Sequence, residues 1–173
     1  ATYDASTGTL VVSGAGFVAN DGATNDIDAS LLTFTGEGGA TYTLTSADVE
    51  IDSATQFTIT LNATDKAALE AILNKNGTAS DDSTTYNIAA AEDWMPGAPG
   101  ADTIADLTGN GVTVSGLDET APTATISPSD ASTNVARDST ITITFDEAVR
   151  LLDGAALTND NIAALITLKD TGG

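Results

Sequence analysis

The chain has 173 residues, of which 25 are acidic and five are basic, and its formal net charge at pH 7 is −20. A field of this sign repels phosphate backbones and anionic lipid surfaces, so we expect no nucleic-acid partner, and metal cations are the natural partners. The absence of cysteine and histidine excludes thiol catalysis, Cys/His zinc sites and Ser-His triads, and no apolar run reaches the roughly 18–20 residues of a membrane span.

Alternating apolar and polar residues predict strands through most of the chain before residue 117. The predicted strands are 9–13, 31–35, 40–45, 48–52, 55–61, 84–89 and 111–115. Strands 31–35 and 40–45 are expected to pair as a hairpin across the Gly-rich turn at 36–39. In strand 48–52 the two apolar residues are expected to face the core, and the three acids on the other face are best explained as solvated.

Residues 64–75 depart from this alternation and predict a short helix. Thr64 is the expected N-cap, Asp65 suits the positive end of the helix dipole, and Asn76-Gly77 suits the C-terminal cap. A helix of three turns with a single apolar stripe is not stable alone in water, so we expect it to cover an open end of the β-structure. The stripe consists of Leu69, Ile72 and Leu73.

The loop at 20–28 has the densest set of oxygen donors in the chain. Calcium takes about 6–8 oxygen ligands, which closely spaced Asp and Asn side chains and main-chain carbonyls can supply. The candidate ligands here are Asp21, Asn25, Asp26 and Asp28. The alternative is an Asx-rich turn with solvated charges, and the sequence leaves both interpretations open.

The loop at 92–100 contains the single tryptophan, Trp94. A lone Trp most often fills the end of a β-sandwich, where its large area is buried, and we favour that interpretation. Alternatively, an exposed Trp94 with Tyr86 and the nearby acids would stack on a sugar ring, which would make the protein a carbohydrate- or ligand-binding module.

The stretch Asp118-Glu119-Thr120-Ala121-Pro122 is predicted to be a short, stiff joint between two β domains, because it is acidic and ends in proline. The predicted organisation is a domain at 1–117, a linker at 118–122 and a second domain at 123–173. Asp118 and Glu119 are candidates to hold a cation at this joint, and Asp146, after the predicted strand 139–145, is a further candidate ligand.

After the joint, the chain carries Ala121-Pro122 and then the segments 126–130, 133–135 and 141–149. By the order and spacing of these segments, this part of the chain resembles the bacterial Ig-like domain of S-layer proteins and large surface adhesins. It covers the first half of such a domain, and the part before the joint resembles repeat units of giant bacterial adhesins more loosely. The resemblance implies an extracellular β-sandwich that serves as a building block and has no catalytic residues.

We therefore expect an all-β protein of tandem Ig-like β-sandwiches, the first with a short inserted helix and the second incomplete. Residues 123–173 supply strands at 123–127 and 139–145, a helical turn at 158–165 and the start of a strand at 166–168, whereas an Ig-like sandwich needs about seven strands and 100 residues. Either the chain is an excerpt from a longer array, or strands from a neighbouring copy complete the domain.

The predicted function is a structural repeat module of a bacterial extracellular surface protein, such as an adhesin stalk, an S-layer or a filament subunit. Calcium (Ca2+) in the acidic loops and at the joint would make it rigid. Its partners would be neighbouring repeats or copies of itself, with surface glycans as a further candidate. We expect no enzyme, because nothing selects a glycosidase-like carboxylate pair from 25 acids.

Overall fold

The structure is a computed structural model that describes residues 1–100, 103–129, 132, 136, 138–149, 157–158 and 162. The chain divides into two compact units, Ala1–Glu119 and Thr120–Gly173. The domain and linker boundaries inferred from the sequence stay a prediction.

The described residues form mostly strands in several sheets, with one short α-helix. The strands are β1 (Thr2–Asp4), β2 (Thr9–Ser13), β3 (Leu32–Thr35), β4 (Thr41–Thr43), β5 (Ile51–Ser53), β6 (Gln56–Thr60), β7 (Asn87–Ala90), β8 (Thr113–Ser115), β9 (Ala124–Ser127) and β10 (Thr142–Phe145); the helix is α1 (Ala63–Ile72). In the first unit, one sheet has the order β5-β6-β2-β1-β8 and the other has the order β4-β3-β7. Strands β1 and β8 pair in parallel, and the other pairs are antiparallel.

Each strand predicted before residue 117 overlaps an observed strand, and the hairpin of β3 and β4 is confirmed. The sequence did not predict β1, because three residues are too few to establish an alternating pattern. Strand β1 lies inside its sheet between β2 and β8. Its Tyr3 side chain is fully buried.

Both sheets and the helix contribute to one hydrophobic core. Leu10, Phe57 and Ile59 of the five-stranded sheet belong to the same buried cluster as Leu32, Phe34 and Ile88 of the three-stranded sheet and Leu69 of the helix. Burying side chains of this size stabilises a fold by about 1.5–3 kcal/mol each. The two sheets and the helix are therefore packed around the same buried cluster.

Helix α1 begins and ends earlier than the sequence predicts. The N-cap is Asn62 rather than Thr64, since the Asn62 side chain accepts a hydrogen bond from the Asp65 amide at 2.8 Å. The helix ends at Ile72 with Leu73 as C-cap. Asn76 does not cap it, because its side chain binds Leu117 instead.

In the second unit, β9 and β10 form an antiparallel pair in which Ile126 lies opposite Ile143. This confirms the strands predicted at 123–127 and 139–145. The amide of Ile162 donates to the Thr158 carbonyl at 3.0 Å, as in a helical turn. The rest of the predicted turn at 158–165 and the strand predicted at 166–168 lie outside the described residues. No helix in the described part of the chain is long and apolar enough to cross a membrane.

The hydroxyl of Tyr3 is buried without a hydrogen-bond partner among the described residues. Burial, with the charges of Glu70 and Asp4, raises the pKa of Tyr3 to about 12. An unpaired buried hydroxyl costs about 1–3 kcal/mol of desolvation. We therefore expect Tyr3→Phe to raise the free energy of unfolding by about 1 kcal/mol in urea denaturation.

The matched control is Tyr86→Phe. The Tyr86 hydroxyl accepts from the Lys75 amide at 3.0 Å and donates to the Lys75 carbonyl at 3.1 Å. Losing these two bonds is expected to lower the free energy of unfolding by about 1 kcal/mol. A loss of stability in Tyr3→Phe as large as that in Tyr86→Phe would contradict the prediction.

Candidate functional site

The acidic loop at 20–28 is attached to β5 through Asp26. This side chain is 1 % exposed. Its Oδ1 accepts from the Asn20 amide at 2.5 Å, and its Oδ2 accepts from the Ile51 amide at 3.0 Å. These amides, Asn20 first, lower the pKa of Asp26, and the carboxyl of Glu50 acts in the same direction. Asp26 is therefore a buried, ionised anchor.

Glu50 and Asn25 lie beside this anchor. Glu50 precedes Ile51, whose amide binds Asp26, and its own Oε1 accepts from the Asn25 amide at 2.8 Å. The Asn25 Oδ1 atom is buried without a hydrogen-bond partner among the described residues. Neighbouring carboxylates repel each other when both are ionised, and a cation bound near them relieves the repulsion. The arrangement therefore offers a cation three side chains with suitable oxygen atoms.

The other two predicted ligands of this loop have different contacts. The main-chain carbonyl of Asp21 accepts from Asn25 Nδ2 at 3.2 Å. Asp28 caps the short 3-10 helix Ala29–Leu31, because its Oδ1 accepts from the Ser30 amide at 3.0 Å and the Ser30 hydroxyl at 2.6 Å. The structure thus brings Asn25 and Asp26 together with Glu50 and gives Asp28 a capping role.

The described residues contain no group of three Asp or Glu side chains placed to hold a metal ion. A site at this loop would therefore also need amide, main-chain or water oxygens, which calcium accepts readily. The assignment of Asp21, Asn25, Asp26 and Asp28 as ligands stays a prediction.

The three acids at 48–52 are exposed, as expected for a solvated face, and each also accepts hydrogen bonds from neighbouring residues. Glu50 binds the Asn25 amide, and Asp48 Oδ1 accepts from the Ala29 amide at 3.1 Å. Asp52 accepts from the side chains of Gln56 and Thr58 at 3.2 and 2.7 Å. Main-chain amides of the neighbouring loop therefore bind two of the three carboxylates, while all three stay open to solvent.

At the end of the first unit, Glu119 is held by the loop that follows the helix. Its Oε1 accepts from the Asn76 amide at 2.7 Å. The Asn76 side chain donates to the Leu117 carbonyl and accepts from the Leu117 amide, each at 3.1 Å. The Asn76 amide, followed by its side chain, lowers the pKa of Glu119. Asp118, beside it, is exposed.

In the second unit, Asp146 connects the end of β10 to the start of β9. Its carboxylate accepts from the Thr123 amide at 2.8 Å and from the Thr123 hydroxyl. The hydroxyl, followed by the amide, lowers the pKa of Asp146. Asp146 therefore fastens the strand pair in which it lies.

The β9–β10 pair and its Asp146 fastening lie in the last third of the chain, where the sequence resembles a surface-protein domain. Residues 118–173 match the family model of the bacterial Ig-like domain. Bacterial Ig-like domains are generally non-enzymatic structural modules, typically extracellular or at the cell surface. No curated protein and no solved structure matches the chain.

The match confirms the resemblance inferred from the sequence for this bacterial Ig-like segment (residues 118–173). Three predicted metal ligands lie within it, namely Asp118, Glu119 and Asp146. Glu119 and Asp146 each accept hydrogen bonds within their own unit. A metal-binding role for these three residues stays a prediction.

The sequence placed Asp65 at the positive end of the helix and did not predict that it would be buried. It is fully buried, at 0 % exposure. It accepts from the amides of Thr45 and Ser46, from both of their hydroxyls and from the Tyr42 hydroxyl, at 2.6 to 3.0 Å. Burial raises its pKa, but hydrogen bonds led by those of Ser46 and Thr45 outweigh burial, so the pKa lies below its usual value. Asp65 anchors the helix to the 45–46 loop.

Trp94 is buried, which confirms that it fills the β-structure rather than presenting a surface. Its exposure is 9 %. Its Nε1 donates to the Ile104 carbonyl at 2.8 Å, and its ring packs edge-on against Phe17 at 5.8 Å. Tyr86, the other aromatic ring of the carbohydrate-binding alternative, is also buried. Sugar stacking needs an open aromatic face, which neither ring offers.

Proposed function

We propose that the protein is a structural repeat module of a bacterial extracellular surface protein, built from Ig-like β-sandwiches and made rigid by calcium. The observation that carries the proposal is the match of residues 118–173 to the bacterial Ig-like domain. A first unit in which two sheets share one hydrophobic core supports the sandwich architecture. Such a module would form part of an adhesin stalk, an S-layer or a filament.

The calcium part of the proposal is supported best at the loop anchored by Asp26. Asp26 and Glu50 are linked through the Ile51 and Asn25 amides, so a cation there would relieve the repulsion between the two acids, and the buried Asn25 Oδ1 has no hydrogen-bond partner among the described residues. The net charge of −20 concentrates cations around the whole chain. Extracellular modules bind calcium with dissociation constants of about 10⁻⁴–10⁻³ M, so a site of modest affinity is sufficient.

Calcium is expected to raise the melting temperature, and a chelator is expected to reverse the rise. At a calcium concentration of about 100 times the dissociation constant, the gain in unfolding free energy is about 2.7 kcal/mol. The variant Glu50→Gln removes one carboxylate of the site and is expected to abolish the gain. Asp81→Asn is the control, because Asp81 is exposed and its ion pair with Lys75 is long, at 3.6 Å.

Two results would be decisive. A melting temperature unchanged by calcium or chelator would remove the ion from the proposal and leave the structural role standing. A calcium response retained in Glu50→Gln and lost in Glu119→Gln or Asp146→Asn would move the site from the loop to the bacterial Ig-like segment.

A second proposed role is assembly by strand complementation, which the apolar face of the β9–β10 pair favours. Ile126 is 52 % exposed and Ile141 is 47 % exposed. Phe145 lies beyond Ile143 on the same face, while the opposite face carries Thr125, Thr142 and Thr144. An apolar face of this kind is normally covered by a second sheet. In this proposal, a strand from another copy of the chain supplies the cover.

Sedimentation velocity tests this role. We expect the full chain to associate as its concentration rises, and we expect Ile126→Thr with Ile141→Thr to stay monomeric. Thr144→Ser, on the opposite face, is the control and is expected to associate normally. A wild-type chain that sediments as a monomer at every concentration would contradict the proposal.

A further inference from the structure

We infer that the first unit is a mechanical clamp, in which the parallel pairing of β1 and β8 resists a pulling force applied along the chain. The inference rests on the proposed function, because such a force reaches these strands only in a chain that is anchored to a surface and pulled. Beyond the proposed function, β1 and β8 would be the strands that carry the mechanical load.

The first and last strands of the unit lie side by side. Thr2 is opposite Thr113, and Asp4 is opposite Ser115, in parallel register. The Thr113 amide donates to the Ala1 carbonyl at 2.9 Å, and the Ala5 amide donates to the Ser115 carbonyl at 2.8 Å. The chain therefore enters β1 at one end of the pair and leaves β8 at the other.

This geometry decides how a force is distributed. A pull on the chain before β1 and after β8 drives two parallel neighbours in opposite directions along their length. The hydrogen bonds between the strands lie across that direction, so all of them carry the load together. If the two neighbouring ends were pulled instead, the bonds would break one after another. Forced unfolding follows the barrier to the first rupture, which is higher when several bonds must break at once.

Contacts on both sides of β8 strengthen the clamp. On the edge away from β1, Val114 and Gly77 exchange amide-to-carbonyl bonds at 2.7 and 2.8 Å. Where the chain leaves β8, a Cβ at Gly116 would collide with the Asp4 carboxylate and the Ser6 amide, so the two chains pass in close contact. The strand therefore cannot move sideways to relieve the load.

The Asn76 side chain, in the loop after the helix, binds the segment that follows β8, through which the force is applied. It makes two hydrogen bonds to Leu117, each of 3.1 Å, just after β8. A pull on the chain beyond Glu119 loads these bonds before it loads the strand pair.

Single-molecule force spectroscopy on the full chain tests the clamp. The chain has no cysteine, so introduced cysteines define the points of attachment. One handle is attached ahead of Ala1. In the shear geometry the other handle is attached at Ala121→Cys, beyond β8, so that opposite ends of the strand pair are pulled. In the peeling geometry it is attached at Gly111→Cys, just before β8, so that the two neighbouring ends are pulled. Both positions are exposed, and a Cβ at Gly111 meets no atom within 4 Å. Chelator in the buffer separates strand geometry from any effect of calcium.

We expect the shear geometry to need an unfolding force several-fold higher than the peeling geometry at the same loading rate. Asn76→Ala is expected to lower the shear force and leave the peeling force unchanged. Asn74→Ala is the control, because the Asn74 side chain accepts a single long hydrogen bond among the described residues, from the Asp81 amide at 3.3 Å. Equal forces in the two geometries would overturn the inference. Because calcium binding and association are measured separately, that result would leave the proposed function untouched.

Discussion

Replacing Asp65 by asparagine is expected to lower the free energy of unfolding by about 3–5 kcal/mol, since a buried carboxylate loses charge-assisted bonds worth about 1.5–3 kcal/mol each. The donors around Asp65 come from three residues, Tyr42, Thr45 and Ser46. An asparagine keeps one acceptor oxygen and turns an NH₂ group toward these donors. Urea denaturation at pH 7 measures the loss, and Asp81→Asn, at an exposed position, is expected to change stability by less than about 1 kcal/mol.

The pH dependence of this loss has a defined sign. The pKa of Asp65 is lower in the folded protein than in the unfolded chain. Its contribution is therefore fully present above the unfolded pKa of about 3.9 and is lost as the pH falls through the folded pKa. The difference between wild type and Asp65→Asn should shrink progressively in the acidic window below about pH 3.9. A constant difference across this window would show that packing, rather than charge, is responsible.

Trp94→Ala is expected to destabilise the first unit by about 3–5 kcal/mol, the range for removing a buried aromatic side chain. The substitution removes a ring that packs against Phe17 and Phe57, with centroids 5.8 and 6.0 Å away. Trp94→Phe keeps an aromatic ring and loses the bond to the Ile104 carbonyl, so it should cost clearly less. Thermal unfolding of both variants measures the two effects.

The same pair of variants tests the carbohydrate-binding alternative. If Trp94 contacted a sugar, Trp94→Ala would abolish binding on a glycan array while leaving the melting temperature almost unchanged. We expect the reverse, a large fall in melting temperature and no glycan signal from either protein.

The strands were predictable wherever one face is buried over five or more residues. In Gln56–Thr60, the buried residues are Phe57 and Ile59, and the alternation marks both the strand and its inner face. The hairpin of β3 and β4 was also predictable, because its Gly-rich turn lies directly between two apolar runs. Both signals are local, so a single sequence carries them.

The contacts that define the candidate site join residues far apart in sequence. Glu50 binds an amide 25 residues away, Asp65 binds one 20 residues away, and Glu119 binds one 43 residues away. All three are plainly acidic in the sequence. The residues next to a carboxylate in the sequence, however, do not show whether distant amides bind it or water solvates it. The N-cap was predicted at the wrong residue for a related reason: the Asp65 side chain is buried, and the helix follows Asn62, which is the observed N-cap.

The adjacency of β1 and β8 also affects how the chain folds as it is synthesised. Strand β1 gains its second neighbour only when residues 113–115 have emerged, more than 100 residues after Thr2. Pairing across so long a separation is entropically costly and slow. Until then, the side of β1 that will meet β8 is an open sheet edge able to pair with a neighbouring chain. The nascent chain is therefore most exposed to misassembly just before this unit receives β8, its last strand.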